Sequence, residues 1–364
     1  MQLGLEYISS FGAALYHSDA FRALLVLTMV VAWVQSTKEG ELSAIKTLFR
    51  KGLYWLDSIV YMVFSKDTKG LGVKYQIPGS STDPEHVRSG GTGFQGAAHK
   101  RVVFIRHGES DWNSIFNKGK NPMLLVRLVL AWVQEWLMVF SLQSPFLDSP
   151  LNDEGIQQAV ELRAFLEGDH AMDSEKQKEV LATIRGEVGS SVLVSSPLRR
   201  AISTLTLAVW PRMQRRAEKI ELLSYAQEIS RNVDTCALSG VKGVPELPFS
   251  RIASHCAGVG PANYDASLNL GNKSLKSTGK MRIEAFNKWL FESPADTIIV
   301  GGHSLWFKHF FNLCLPFSIE HRAKTDKMTN SGVIVFDIYR SAGGKAVCID
   351  PDSIDVVYGG FTKK

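Results

Sequence analysis

The run VVFIRHGESDWN, from Val102 to Asn113, places an arginine and a histidine side by side after four apolar residues. A short apolar run bounded by polar residues reads as a buried strand. In an α/β sheet, the residues that follow such a strand stand at its carboxyl edge, where ligands bind. Arg106, His107, Gly108, Glu109 and Ser110 are therefore delivered to one place. An imidazole there can act as nucleophile or proton carrier, and a guanidinium beside it can grip an oxyanion. The triplet Arg-His-Gly by itself fits a core histidine at a strand end equally well. Glu109 and Asp111 invite a metal reading, but neither H-x-x-E-H nor H-E-x-x-H occurs, so solvation accounts better for both carboxylates.

The elements that must position these residues alternate along the chain. RVVFI (Arg101–Ile105), VLVSS (Val192–Ser196), TIIVGG (Thr297–Gly302) and GVIVFDIY (Gly332–Tyr339) read as strands. Helices are expected over Glu154–Leu166, from Pro197 in a first turn to a stop before Pro211, over Thr278–Phe291, and over Ser304–Leu315. Strands alternating with helices argue for an α/β sandwich around a mostly parallel sheet.

Ahead of this unit, Asp19–Gln35 and Leu42–Phe64 read as helices, the second with Ile45, Leu48, Phe49, Leu56, Ile59 and Val63 at helical spacing. From Ser65 to His99 the composition shifts to Gly, Ser, Pro and charge, which suggests a flexible linker. The expected organisation is thus a helical N-terminal extension over 1–64, a linker over 65–99 and a catalytic domain over 100–364.

Further motifs follow His107 in order. SSPLRRAIST (Ser195–Thr204), AQEISRN (Ala226–Asn232), GGHS (Gly301–Ser304) and DSPLNDEG (Asp148–Gly155) together with RHGES resemble the histidine phosphatase superfamily in its phosphoglycerate mutase-like branch. The resemblance covers about Lys100 to Tyr339 and nothing in the first 97 residues. It implies a three-layer α/β sandwich with helices flanking the central sheet. It also implies roles: Arg106 and Arg200, not Arg199, as phosphate ligands, His107 as nucleophile, His303 in the pocket, and Glu228, 28 residues after Arg200, as the acid/base group. Ser110 and Asn113 become candidates for further phosphate hydrogen bonds.

The chemistry explains why these types are needed together. A phosphate monoester is dianionic and repels nucleophiles, so a site must neutralise it and hold a nucleophile in line with the leaving oxygen. Arginines offer bidentate donors, and the same cations disfavour protonation of His107, leaving a ring nitrogen free to attack phosphorus. A phosphohistidine then splits one hard displacement into two easier ones. The expected activity is hydrolysis of phosphate monoesters, from a small molecule or a phosphoprotein, with no cofactor and no metal. The alternatives are mutase-type phosphoryl transfer and a catalytically inactive, membrane-associated scaffold of the same fold.

Two stretches depart from the family's pattern. NPMLLVRLVLAWVQEWLMVFSL, Asn121–Leu142, is an inserted helix whose only charges are Arg127 and Glu135. It must be covered, either by the N-terminal helices or by a membrane surface reached through the apolar segments 21–35 and 121–142. The region after Glu228 is rich in Gly and Pro and lacks the basic residues with which mutases grip a carboxylate, which favours hydrolysis. Such a long loop beside a site sets substrate choice.

The bulk numbers limit the rest. With 364 residues, 45% hydrophobic and 21% charged, the composition is that of an ordinary globular protein. A net charge of +5 with basic residues dispersed gives no support to nucleic-acid binding. Arg212, Arg215, Arg216 and Lys219 read as a charged solvent face before an anion-binding patch. Cys236, Cys256, Cys314 and Cys348 form no C-x-x-C pair, as expected of a reducing, intracellular and cytoplasmic setting. The N-terminal residues lack the basic start of a secretory signal, and the apolar run Ala23–Val34 has 12 residues where a spanning helix needs ~20.

Overall fold

In the computed structural model, residues 43–71, 98–119, 122–168, 175–341 and 347–363 are described. The expected helix over Asp19–Gln35, and Asn121 at the start of the inserted helix, lie outside them.

β1 (Ala98–Arg106) is the hub of an eight-stranded sheet. Around it run β2 (Ser191–Ser195), β3 (Ile220–Leu222), β4 (Tyr264–Asp265), β5 (Thr297–Gly302), β7 (Val333–Arg340), β8 (Val347–Ile349) and β9 (Asp355–Tyr358). The order is β4-β3-β2-β5-β1-β7-β8, with β9 also paired to β7. From β4 to β1 all neighbours are parallel, and β7 pairs antiparallel with β1. A small separate pair joins β6 (Lys327–Met328) to β10 (Phe361–Thr362). The strands expected from sequence are β1, β2, β5 and β7; the two- to four-residue strands carry too little pattern to be read.

β1 is buried on both faces because its side chains alternate between two cores. Val103 and Ile105 pack under α4 (Asp153–Glu167), α5 (Glu175–Ile184) and α6 (Arg199–Arg216). Val102 and Phe104 point the other way, to α8 (Gly279–Glu292) and α9 (Ser304–Cys314). Phe104 stacks on Phe307 at 4.1 Å between ring centres and meets Trp306, Phe310 and Phe336 edge-on. Helices, sheet and helices make the three layers of the sandwich. α7 (Phe249–Ile252) and α10 (Arg322–Thr325) are single turns in the connections.

One helix end differs from expectation. α6 does not stop before Pro211 but continues to Arg216, with non-helical torsions at Val209 marking the kink. Proline lacks the N–H for the ladder and crowds the preceding turn, so the helix bends there instead of ending. Arg212, beyond the kink, is buried and bonded to Glu218 and to the carbonyls of Thr183, Ile184 and Ser191, so it is no part of a solvent face.

The N-terminal extension docks onto this unit through α1 (Ser43–Phe64). Its partner is α3 (Met123–Leu137), which follows the short α2 (Asp111–Phe116). Lys51 forms a buried ion pair with Glu135 at 3.0 Å and also donates to the carbonyls of Met138 and Gln143. Trp55 donates its indole N–H to Glu135 and stacks on Trp132. Residues 65–71, expected to open a flexible linker, are docked instead: Asp67 has no exposed surface. The rest of the expected linker, 72–97, lies outside the described residues, and β1 already begins at Ala98.

Both charges of α3 face inward, Glu135 to Lys51 and Arg127 to the carbonyls of Ile115 and Gly119. Its apolar residues consequently face outward, with Leu125, Leu130, Trp136 and Leu137 between 63% and 82% exposed. Leu56, Ile59, Val63 and Phe64 on α1 are exposed as well. No helix among the described residues is long and apolar enough to cross a membrane.

Candidate active site

Four neighbouring strands, in the order β3, β2, β5, β1, each lead to a residue of the expected site. β1 ends in Arg106 and is followed by His107, whose backbone N–H bonds the Gly302 carbonyl at 3.0 Å. β5 is followed by His303 at the start of α9. β2 leads through Ser196 into α6, whose second residue is Arg200. β3 leads into the loop that carries Glu228. The parallel sheet thus converts four motifs remote in sequence into one constellation at its carboxyl edge.

The loop after β1 is pressed against the start of α4. A β-carbon on Gly108 would stand 2.6 Å from the Gly155 carbonyl oxygen, and one on Gly155 would meet the backbone of Glu109. Glycine is needed on both sides for this approach. The contact fixes the direction in which His107 leaves the strand.

His107 is 4% exposed, and its Nδ1 lies 2.6 Å from its neighbour's carbonyl oxygen, at Gly108. A carbonyl only accepts, so Nδ1 carries the proton and Nε2 presents a lone pair. Burial, with Arg200 and Arg106 nearby, holds this imidazole well below the usual histidine range. His303 is fully buried, 5.2 Å from His107 between ring centres, and is pushed down for the same reasons, burial first and Arg200 second. Its Nε2 meets the Ser196 hydroxyl at 2.9 Å, while its Nδ1 has no partner. With the hydroxyl donating to Nε2, Nδ1 becomes a free donor.

The two arginines are anchored differently. Arg200 donates to the Asp234 carbonyl at 2.9 Å and pairs with its carboxylate at 3.3 Å. Arg106 bonds the Met328 carbonyl, and its Nε has no partner. Burial lowers the Arg106 pKa to about 10, which still leaves it charged at neutral pH. It lines a cavity of about 380 Å³ together with Thr329, Asn330, Ser331 and Tyr358. Arg199, next to Arg200, has a different task. Fully buried, it donates to the carbonyls of Asp148, Ser144 and Leu147 and to Gln143. It fastens the 143–148 loop to the head of α6.

Glu228 is 6% exposed and accepts from the backbone N–H groups of Ile229 at 3.0 Å and Trp306 at 2.9 Å. Both bonds fall on Oε1. Burial raises its pKa, against the opposing pull of Arg200. Ser110 caps α2 by accepting from the Asn113 N–H, and the Asn113 side chain accepts from Asn117. Both are thus engaged in local helix bonds, and no hydrogen bond links them to the histidines or arginines.

Sequence reading missed Ser196, Asp234 and Trp306. Ser196 sits in the quoted SSPLRR motif and could have been found by asking what orients His303. Asp234 and Trp306 act through tertiary contacts that no spacing announces. No group of three or more His, Cys, Asp or Glu suited to a metal occurs among the described residues.

No family profile matches the sequence, and no curated protein does. Comparison with solved structures returns several of low similarity. One is called mycobacterial hydrolase 1, at 16% identity over 67% of this chain and 97% of that one, TM-score 0.33. Another is a mycobacterial glucosyl-3-phosphoglycerate phosphatase, at 15% identity over 71% and 97%, TM-score 0.35. A third is a phosphoserine phosphatase mutant from Entamoeba histolytica in complex with phosphoserine, at 15% identity over 65% and 90%, TM-score 0.31. Likeness at this level carries no argument. The resemblance to the histidine phosphatase superfamily rests on the motifs and on where the sheet puts them.

Proposed function

We propose that the chain is a phosphatase that hydrolyses phosphate monoesters through a phosphohistidine on His107, without a metal. The observation that carries this reading is the pairing of a buried imidazole held well below the usual histidine range, its Nε2 unprotonated, with the buried Arg200, the half-buried Arg106 and a carboxyl group whose pKa is raised. Arg106, Arg200 and the free Nδ1–H of His303 would hold the three non-bridging oxygens. His107 Nε2 attacks phosphorus, the bond to the leaving oxygen breaks, and Glu228 gives that oxygen its proton. Water then loses a proton to the Glu228 carboxylate and attacks phosphorus, which releases inorganic phosphate and returns His107 neutral. Hydrolysis is preferred to mutase transfer because the loop beyond Glu228 offers little charge to retain a phosphorylated acid.

A screen for phosphate release over alkyl, aryl, sugar and peptide phosphates in EDTA tests this proposal. Release from at least one class, unchanged by the chelator, is expected. No release from any class, or strict dependence on added magnesium, contradicts it.

The outward apolar face of α3, continued by α1, favours an accompanying reading in which this face rests on a membrane surface. The support is that the helix keeps both charges inside and presents Trp132 and Trp136 outside. Flotation with lipid vesicles tests it: co-migration is expected, and protein remaining wholly with the unbound fraction opposes it.

A further inference from the structure

Asp67, just beyond α1, is buried against residues far away in the sequence. It pairs with Arg282 at 2.5 Å and with Lys273 at 3.2 Å, and it accepts from the Ser230 N–H at 3.1 Å. Its own carbonyl accepts from the N–H of Gly279, the first residue of α8. A β-carbon on Gly279 would stand 3.0 Å from that carbonyl oxygen and closer still to Ile229, so the approach depends on glycine. Tyr61 of α1 adds its ring face, 4.6 Å from the Lys273 ammonium.

Both cations then do the same thing. Lys273 donates to the carbonyls of Glu228 and Ser230 and to the Thr235 hydroxyl, at 3.0, 2.8 and 3.0 Å. Arg282 donates to the Glu228 carbonyl at 3.3 Å. Two buried cations thus hold the main chain of Glu228, and one buried carboxylate, just beyond the N-terminal helix, pairs with both. Buried charges keep such positions only when paired, so their grip depends on Asp67.

We propose that Asp67 is a positioning residue for the general acid: through Lys273 and Arg282 it sets where the Glu228 carboxyl stands, which ties the segment just after α1 to the catalytic site. This rests on the phosphohistidine reading above. The side chain of Asp67 touches no reacting atom, and its effect should appear only in the step that needs Glu228.

The test compares full-length wild type, Asp67→Asn and Asp67→Glu on an alkyl phosphate and on para-nitrophenyl phosphate, with inorganic phosphate inhibition measured in parallel. Loss of a well-placed general acid costs on the order of 10²-fold when the leaving group is a poor one, and little when it departs unaided. Asp67→Asn should therefore lower kcat/KM, which reports the half-reaction in which the leaving group departs, on the alkyl ester by roughly that factor, change it by under about threefold on the aryl ester, and leave phosphate inhibition in place. Asp67→Glu, which keeps both ion pairs, should fall between. If Asp67→Asn does not fold, the same alkyl-to-aryl contrast is read in Asp67→Glu. Equal losses on both esters, or no loss, overturn the positioning role while the phosphatase reading stands. A wild type inert toward both overturns that reading, and this role with it.

Discussion

At the carboxyl edge of the sheet and between helices α1 and α3 the chain buries charge, but it leaves different remainders. Lys51 and Glu135, between the helices, have their polar atoms taken up by one another, by Trp55 and Ser144, and by carbonyls. At the sheet edge, Arg106 Nε, His303 Nδ1 and Asp234 Oδ1 are buried without partners. Buried polar atoms are nearly always satisfied in folded proteins. The first region spends its charge on fastening; in the second, Arg106 Nε and His303 Nδ1 remain as donors, which the proposed mechanism directs at a phosphoryl group.

Substitutions at the two regions should therefore separate activity from stability. His107→Ala removes the nucleophile and should lower turnover on the order of 10⁴-fold or more, with an unchanged circular dichroism spectrum. Retained activity would end the covalent mechanism. Glu228→Gln should lower kcat/KM roughly 10²- to 10⁴-fold on alkyl phosphates and far less on aryl ones; a uniform loss in kcat/KM would remove it from the acid role.

Glu135→Leu has the opposite signature. Leaving Lys51 buried and unpaired should cost about 3–5 kcal/mol in chemical denaturation, and adding Lys51→Met should restore much of it. The kcat of the folded fraction should be preserved. A variant as stable as wild type would show that the pair fastens nothing.

The pH dependence follows from two shifts of opposite direction. Turnover needs His107 neutral and Glu228 protonated, and the first pKa is held down while the second is pushed up, both chiefly by burial. Activity is expected to fall as pH drops through the His107 pKa and to fall again as pH rises through the Glu228 pKa; in Glu228→Gln that alkaline fall should vanish. Stability runs the other way. The unfolded histidines bind protons at about pH 6.5 and the folded ones do not, so their contribution is complete above that pH and is lost progressively as pH falls below it. Titrating kcat and the thermal midpoint in parallel checks both signs. The smallest effect belongs to Trp136→Gln: at 74% exposure it should shift stability by no more than about 0.5 kcal/mol yet weaken vesicle binding.

His107 could be located from sequence because an apolar strand and an ordered set of motifs surround it, and the mostly parallel character of the sheet follows from the alternation of strands and helices. Asp67 could not. A single aspartate in the run SKDTKG looks like a solvated turn, and its partners Lys273 and Arg282 lie 206 and 215 residues away. Its burial is a property of the folded chain alone. Pro211 misled for the opposite reason: a strong local stop signal was overridden by packing, since Met213 beyond it is buried in the same core as Leu205. The inserted helix was recognisable as apolar, but the inward direction of Arg127 and Glu135 required partners that only tertiary structure supplies.

Central to the account is a phosphoryl group carried on His107 Nε2. Wild type and His107→Ala should be mixed with ³²P-labelled substrate, quenched in alkali within milliseconds, and followed by gel and peptide mapping. Near-stoichiometric label that survives alkali, is lost in acid and maps to the peptide containing His107 is expected, with none in the variant. Rapid phosphate release with no trapped label at any quench time, or label on a serine, would contradict it.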